Sequence, residues 1–258
     1  MRRLDIEIVK RHLARSRGEA KDLIESGLVE VNGFTVQKTA TLVSPDAAIK
    51  ILEARNGYVS RGANKLLSIL PIVQIDFTNK VVVDAGASTG GFVQVALELG
   101  AKKVYAVDVG YGQLAWSIQT NPKVVVMDRT NVKNLVKANF AEEINIVMAD
   151  LSFISLKSVM PVICELVESS GDLLLMVKPQ FEVGKDKVGR GVVTDPELRT
   201  AAVNGVIAVA NQFGWFCVGA AESLIHGPSG NREFFIHLRK NGAELSPAQI
   251  AQLISREE

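Results

Sequence analysis

Four polar residues of the sequence stand where predicted strands or helices meet the loops, and their types suit the handling of a proton. Asp150 follows the apolar run INIVMA, and Lys178 follows DLLLMV. A lysine that closes a fully apolar segment is costly to bury unless it is paired or functional. Glu233 opens the last apolar segment, and Lys65 lies in a predicted helix. Two lysines and two carboxylates that meet in one cleft could hold and transfer a proton.

A glycine-rich turn follows the predicted strand VVVDAG and precedes the predicted helix GFVQVALEL. Gly86 permits a tight turn, and Gly90 and Gly91 would let a ligand approach the backbone. The dinucleotide fingerprint G-x-G-x-x-G needs glycine at position 88, where this chain has serine. The turn therefore indicates a nucleotide-like cofactor but lacks the full pyrophosphate cradle. The candidate cofactor-binding residues here are Asp84, Gly86, Ala87, Ser88, Gly90, Gly91 and Phe92.

Three further aspartates end predicted strands beside this turn and complete the candidate cofactor site. The predicted strand in KVYAVDV ends at Asp108, which could accept hydrogen bonds from a ribose diol. Asp128 ends KVVVMD and could reach an adenine edge, and Asp150 lies at the tip of the next strand. Helix-capping or turn roles are the alternative for Asp108 and Asp128. A ribose-binding carboxylate fits nicotinamide adenine dinucleotide and S-adenosylmethionine equally, so it leaves the cofactor open.

Apolar segments alternate with helical patterns from about residue 81 onwards. Continuous apolar strands between helices are typical of a parallel sheet covered on both faces. The last two strands, in WFCVGAAESL and REFFIHLRK, are joined by a short turn and are predicted to pair antiparallel at the sheet edge. Seven strands in this order predict an α/β fold with a Rossmann-like sheet of the kind found in methyltransferases.

The first segment, residues 1–55, predicts a small α+β module. Two short helices are expected, with Ser16 as the N-cap of the second and Gly27 at its end. Asn32-Gly33 predicts a hairpin, and AAIKILE a further strand. Residues 2–21 hold seven lysines or arginines against three acidic residues, whereas the whole chain has a net charge of only +1. This basic face suits phosphate contacts, although a merely solvated helix face fits equally.

The first segment resembles the S-four (S4) RNA-binding domain. The resemblance rests on R-L-D at 3–5, S-R at 16–17 and V-E-V-N-G at 29–33, with Gly27 between them. It implies binding of structured RNA, mainly through shape and backbone. The residues we expect to contact RNA are Arg3, Lys10, Arg11, Arg15, Arg17 and Lys21.

The rest of the chain is similar to the TlyA family, whose members are often labelled haemolysin A. The matching motifs are R-G-A-N-K-L at 61–66, D-A-G-A-S-T-G-G-F at 84–92, V-D-V-G-Y-G-Q-L at 107–114, A-D-L-S-F at 149–153 and V-K-P-Q-F-E at 177–182. The resemblance implies an S4 domain at 1–55, a linker at 56–64 and an FtsJ-like methyltransferase domain at 65–258. It also implies S-adenosylmethionine as cofactor, ribosomal RNA or ribosomal subunits as partner, and methylation of a ribose 2′-hydroxyl.

The family's Lys-Asp-Lys-Glu tetrad falls on Lys65, Asp150, Lys178 and Glu233. A ribose hydroxyl must lose its proton as it attacks a methyl group, and Lys178 could take that proton if it were neutral. Burial and the second cation, Lys65, favour the neutral form, whereas the two carboxylates favour the charged form. The sequence leaves this balance open.

The glycine-rich, basic segment 181–193 is expected to be a mobile loop that closes over cofactor or RNA, with a plain surface connection as the alternative. Cys164 and Cys217 lie in apolar stretches and the three histidines are scattered, so neither a metal site nor a disulfide is predicted. No apolar run approaches the roughly 20 residues of a membrane helix, and no signal peptide is recognisable.

We therefore expect a cytoplasmic protein, in a reducing compartment, that does not associate with membranes. The competing hypotheses are a nucleotide-cofactor oxidoreductase, a membrane-lysing haemolysin and a non-catalytic RNA-binding protein. The target nucleotide, the ribosomal subunit and the oligomeric state do not follow from the sequence.

Overall fold

The computed structural model describes residues 1–14, 16–25, 27–51, 57–184, 186, 188–189, 191–227 and 230–254. The basic residues Arg15, Lys185, Lys187 and Arg190, which belong to the predicted RNA-binding face and to the predicted loop, lie outside the described residues.

The N-terminal segment folds around its own small apolar core, in which Leu4, Ile8, Ala20, Ile24 and Val29 are all buried. Two helices pack on short strands. The helices are α1 (Leu4–Lys10) and α2 (Arg17–Glu25), and the strands are β1 (Arg2–Arg3), β2 (Val29–Val31), β3 (Phe34–Thr35), β4 (Leu42–Val43) and β5 (Ile49–Ile51). Strand β2 lies between β3 and β5.

Local sequence signals of this segment act as predicted. The Ser16 hydroxyl accepts a hydrogen bond of 3.1 Å from the Glu19 N–H and so caps α2. Gly27 has φ +69°, which ends the helix. Asn32 and Gly33 both have positive φ in the turn between β2 and β3. The antiparallel pairing of β1 with β4 was not predicted.

A sheet of seven strands forms the centre of the rest of the chain, which confirms the predicted fold class. Its strands are β6 (Val81–Ala85), β7 (Lys103–Val107), β8 (Val124–Met127), β9 (Ile144–Ala149), β10 (Val167–Val177), β11 (Phe216–Glu222) and β12 (Phe234–Arg239). The order is β11-β12-β10-β9-β6-β7-β8. Strand β12 is antiparallel to both its neighbours, so the last two strands form the predicted antiparallel pair at the edge.

Helices cover both faces of this sheet and give it two apolar cores. One face packs against α3 (Arg61–Ile69), α4 (Gly91–Glu98) and α5 (Trp116–Gln119). The other packs against α6 (Met160–Leu166), α8 (Pro196–Asn211) and α9 (Pro247–Ile254). The short helix α7 (Pro179–Glu182) follows β10, and 3₁₀ turns span Val132–Asn134, Lys137–Asn139 and Leu156–Ser158.

Part of the predicted linker is attached to the sheet domain. The N–H of Val59 donates to the Gln94 side chain at 2.9 Å, and the Gln94 amide donates to the Gly57 carbonyl at 3.1 Å. Helix α3 begins at Arg61, before the domain start expected at residue 65. Residues 57 and 59 are thus hydrogen-bonded to α4 of the sheet domain. The domain boundaries stay a prediction.

The close approach of α3 and α4 depends on Gly91. A Cβ atom there would lie 2.3 Å from the Ser60 hydroxyl oxygen and 2.7 Å from the Ala63 nitrogen. We predict that Gly91→Ala lowers the free energy of unfolding by about 1–3 kcal/mol, because backbone atoms must move apart.

The matched control is Gly205→Ala in the middle of α8, where the nearest atom to a new Cβ is the Lys157 Nζ at 3.9 Å. This change should raise stability by up to about 1 kcal/mol, because alanine favours a helix. Urea unfolding of both variants measures the effect, and equal stability of the two would contradict the packing account.

Candidate active site

The carboxyl ends of the parallel strands surround a cavity of about 700 Å³ and an adjoining pocket of about 190 Å³. This is the edge at which open α/β sheets bind ligands. The two spaces share part of their walls, namely Gly86, Ser88, Asp150, Ser152 and Lys178. The larger cavity will be called the main cavity and the smaller one the side pocket.

Strand register brings the four tetrad residues together. Val177 of β10 pairs with Phe234 of β12 in antiparallel register, so Lys178 and Glu233 are adjacent at the same edge. Leu175 pairs with Ala149 in parallel register, which places Asp150 beside the end of β10. Helix α3 supplies Lys65 from one face of the sheet.

The tetrad forms two short ion pairs. The Lys65 Nζ lies 2.5 Å from a Glu233 carboxylate oxygen, and the Lys178 Nζ lies 2.5 Å from an Asp150 carboxylate oxygen. Asp150 also lies 4.0 Å from Lys65, so this carboxylate stands between the two lysines. Both lysines are 7 % exposed and Glu233 is 1 % exposed. Two buried cations are therefore balanced by two carboxylates, as buried charges require.

Asp150 is held in its charged form. Burial by itself would raise the pKa of Asp150, but Lys178 and then Lys65 outweigh it and bring the pKa below its ordinary value. Lys178 also donates a hydrogen bond of 3.0 Å to the Ser152 hydroxyl. Sequence reasoning missed Ser152 as a site residue, although it lies within the A-D-L-S-F motif.

The glycine turn after β6 is shaped mostly by the chain itself. A Cβ at Gly86 would lie 2.6 Å from the Asp150 carbonyl oxygen, and one at Gly90 would lie 2.9 Å from the Leu114 side chain. Together with Gly91, which faces Ser60, these glycines make room for neighbouring segments. This is a different reason for Gly90 and Gly91 from the ligand approach that the sequence suggested.

The remaining predicted cofactor residues divide between the two spaces. Asp108 lines the main cavity, and its carboxylate accepts hydrogen bonds from the N–H groups of Ser88 at 2.8 Å and Gly110 at 2.7 Å. Asp84, Ala87, Gly91 and Phe92 line the side pocket. Asp128 instead accepts from the Gly112 N–H at 2.8 Å and closes the loop after β7. The structure does not place it among the residues that line either space.

Two buried side chains fix the segments around Lys178. Glu182 accepts hydrogen bonds of 2.6 Å from the Ser155 hydroxyl and from the Leu156 N–H. Asn231, in the turn before β12, bonds to the Gly191 carbonyl at 2.8 Å and to the Val193 N–H at 3.0 Å. The far end of the predicted loop is thus attached to the turn that carries Glu233. Sequence reasoning missed both residues, because these partners lie far away along the chain.

Strained backbone conformations occur at this edge of the sheet. Ser88, Arg129 and Phe153 follow β6, β8 and β9, and each has a φ between +46° and +64° that non-glycine residues rarely adopt. Phe153 is 87 % exposed at the mouth of the main cavity and contacts the ring of Phe181. Strained positions of this kind are often found at binding sites.

Several basic residues of the N-terminal segment form ion pairs with buried carboxylates. Asp5, which is 4 % exposed, accepts hydrogen bonds from Arg3 at 3.0 and 3.2 Å and from Arg17 at 2.7 Å. Arg11 binds Glu7 at 2.9 Å and donates to the carbonyls of residues 44, 45 and 47. Arg11 thus ties α1 to the turn before β5.

The two lysines expected to contact RNA, Lys10 and Lys21, differ in their surroundings. Lys10 is exposed on α1. Lys21, like its neighbour Gly18, lines the main cavity, so the N-terminal segment forms part of the wall of the candidate site.

Within the described ranges, no cluster of histidine, cysteine or carboxylate side chains could hold a metal ion. Nor does that part of the chain contain a helix long and apolar enough to cross a bilayer.

Comparison with protein families finds two matches. The model for FtsJ-like methyltransferases matches residues 58–240, and the model for the S4 domain matches residues 2–49.

Individual relatives match over nearly the whole chain. The 16S/23S rRNA (cytidine-2′-O)-methyltransferase TlyA of Mycobacterium tuberculosis is 46 % identical over 92 % of this chain and 89 % of its own length. The 23S rRNA (cytidine-2′-O)-methyltransferase TlyA of Campylobacter jejuni is 33 % identical over 93 % of this chain and 100 % of its own. A solved structure of a proposed hemolysin from Streptococcus thermophilus has a TM-score of 0.77 and 33 % identity, and covers 97 % of this chain and 93 % of that chain.

The contacts of Arg11 predict a structural role for this residue. Arg11→Ala removes bonds to Glu7 and to three carbonyls, and should destabilise the N-terminal segment by about 2–4 kcal/mol. Lys10→Ala removes the same charge from an exposed neighbour and should change stability by less than about 0.5 kcal/mol. Hydrogen exchange of the α1 and α2 amides measures both. Equal protection in the two variants would refute the structural role.

Proposed function

The chain belongs to the TlyA family of FtsJ-like methyltransferases with an S4 domain, and we propose that it methylates a ribose 2′-hydroxyl of ribosomal RNA with S-adenosylmethionine. The observation that carries the proposal is the pairing of Lys178 with Asp150 and of Lys65 with Glu233 at the edge of the glycine turn. The substrate class is inferred from relatives that are named as ribosomal RNA methyltransferases.

The residues of the two spaces fit the proposed cofactor. Asp108 offers a carboxylate to a ribose diol in the main cavity, beside the backbone of Gly86 and Ser88. The side pocket is small and polar, and carries charged side chains that suit an amino-acid group. When bound, the cofactor supplies an electrophilic methyl group on a positively charged sulfur. The contact of Asp128 with the adenine edge stays a prediction, and its carboxylate also accepts the Gly112 N–H.

The tetrad supplies the groups that a hydroxyl nucleophile needs. As the oxygen–methyl bond forms and the methyl–sulfur bond of the cofactor breaks, the hydroxyl proton must leave, and Lys178 would accept it if it were neutral. The charged form that results is stabilised by Asp150 at 2.5 Å. Lys65, held by Glu233, lies on the other side of Asp150. We propose that Lys178 is the proton acceptor and that Lys65 orients the ribose.

The N-terminal segment is proposed to dock the RNA. Arg3 and Arg17 share the buried carboxylate of Asp5, which fixes two guanidinium groups that remain 44 % and 61 % exposed. Fixed guanidinium groups suit phosphate oxygens. Lys21 lies at the main cavity itself, where it could contact RNA close to the reacting ribose. A ribosomal RNA substrate also implies that the protein works in the cytoplasm.

The match to a methyltransferase family argues against the oxidoreductase hypothesis. Ser88 agrees with this, because the dinucleotide fingerprint needs glycine at that position. The haemolysin hypothesis is supported only by the names of some relatives. The hypothesis of a non-catalytic RNA-binding protein is tested by measuring methyl transfer to ribosomal RNA.

Substitution of Lys178 tests the proposed chemistry. We predict that Lys178→Ala lowers methyl transfer to ribosomal subunits by at least about 100-fold, because the proton acceptor is lost. Lys178→Arg should be similarly inactive, because arginine keeps the charge beside Asp150 but cannot give up a proton. Transfer of a tritiated methyl group from S-adenosylmethionine measures the rate, and calorimetry should show cofactor affinity within a few-fold of the native chain.

The matched control is Lys137→Ala, an exposed lysine in the 3₁₀ turn Lys137–Asn139. It should leave transfer unchanged. Near-native turnover by Lys178→Arg would show that the residue acts through its charge alone, and near-native turnover by Lys178→Ala would remove it from the mechanism.

A further inference from the structure

The end of the Lys178 side chain has two neighbours of different kinds. Its Nζ donates a hydrogen bond of 3.0 Å to the Ser152 hydroxyl. The nearest oxygen of Asp150 lies 2.5 Å from the same nitrogen, but outside hydrogen-bonding geometry. Attraction between charges does not depend on direction, whereas a hydrogen bond weakens steeply when donor and acceptor are misaligned. Among the described residues, Ser152 is therefore the contact that sets the orientation of the Lys178 nitrogen.

The backbone after β9 holds the Ser152 hydroxyl in place. Two residues earlier, the Asp150 N–H donates to the Ala85 carbonyl at 3.1 Å, which ties the start of this loop to β6. Phe153, the next residue, has a φ of +64°, which non-glycine residues rarely adopt. A serine hydroxyl lies close to its own backbone, whereas a lysine nitrogen ends a flexible four-carbon chain. Ser152 can thus restrict the movement of Lys178.

We propose that Ser152 is a positioning residue, which orients the Lys178 nitrogen so that it can take the proton of the ribose hydroxyl. The inference rests on the proposed role of Lys178. A neutral amine has two N–H donors and one lone pair. One N–H is directed at Ser152, and the negative charge of Asp150 attracts the second. The lone pair then takes the remaining position, from which it can accept the proton.

Ser152 serves Lys178 before and after the transfer. The hydroxyl proton passes to the Lys178 Nζ as the oxygen–methyl bond forms, while the methyl–sulfur bond breaks and leaves its electron pair on sulfur. The ammonium group that results has three N–H donors, so it keeps the bond to Ser152 and gains charge beside Asp150. The nitrogen therefore accepts the proton without a change of side-chain position.

A pair of variants with the same shape tests the inference. Threonine and valine differ in the hydroxyl group, so Ser152→Thr keeps the acceptor for Lys178 and Ser152→Val removes it. We expect Ser152→Val to transfer the methyl group about 10–100-fold more slowly than Ser152→Thr, because the nitrogen is no longer aligned. The rate is measured in single turnovers with tritiated S-adenosylmethionine and ribosomal subunits. Affinities for cofactor and subunits should agree within about threefold.

The matched control is Ser170→Ala, an exposed serine towards the opposite end of β10 from Lys178. It should transfer methyl groups at the native rate. Equal single-turnover rates for Ser152→Thr and Ser152→Val would overturn the inference. So would a Ser152→Ala variant faster than the native chain, since the hydroxyl would then be blocking the lone pair.

A double-mutant cycle separates positioning from direct contact with the substrate. If Ser152 acts through Lys178, Ser152→Ala should slow the native chain about tenfold or more but leave the residual rate of Lys178→Ala unchanged. Long incubations with excess protein measure these slow rates. A loss of the same size in both backgrounds would assign Ser152 to direct contact with substrate or cofactor and overturn its positioning role. A native chain that binds S-adenosylmethionine but methylates no ribosomal RNA would instead overturn the proposed function.

Discussion

The two ion pairs of the tetrad are the interaction on which the site depends. The side chains of Lys65, Lys178 and Glu233 are almost completely buried, whereas that of Asp150 is 20 % exposed. Removing one charge from such a set leaves its partner buried and uncompensated, at a cost of about 3–5 kcal/mol. Four separate elements must therefore reach one point. The residues whose charges constrain the fold are also the ones proposed to handle the hydroxyl proton, so structural and chemical requirements fall on the same residues.

Sheet topology explains how that convergence is achieved. Because β12 runs antiparallel to β10, its first residue, and not its last, meets the end of β10. A parallel β12 would place Glu233 at the opposite edge, far from Lys178. The N-terminal segment adds the second constraint, since Gly18 and Lys21 form part of the cavity wall. The N-terminal segment and residues of the tetrad thereby line one continuous space, which fits the proposed substrate, a large RNA that must present a single ribose.

Much of this architecture could be predicted from the sequence, because the signals are local. Apolar runs marked the seven strands, and Asn32-Gly33 marked the hairpin. Other features depend on contacts between distant segments. The role of Gly91 follows from its approach to Ser60, and that of Arg11 from carbonyls more than 30 residues away. The β1–β4 pair has two residues in each strand, too few for a periodic pattern. Helix α9 is not among the predicted elements, although a local signal, the Ser246–Gln249 capping pair, stands at its start.

The position of the transferred methyl group tests the central claim most directly. Ribosomal subunits labelled by the chain with tritiated S-adenosylmethionine would be hydrolysed in alkali, which cuts RNA only where a free 2′-hydroxyl can attack the neighbouring phosphate. The account predicts that the label survives in an alkali-resistant dinucleotide, because the methyl group blocks the 2′-oxygen. Label released in single nucleotides would place the methyl group on a base and would contradict the assignment of this site to ribose chemistry.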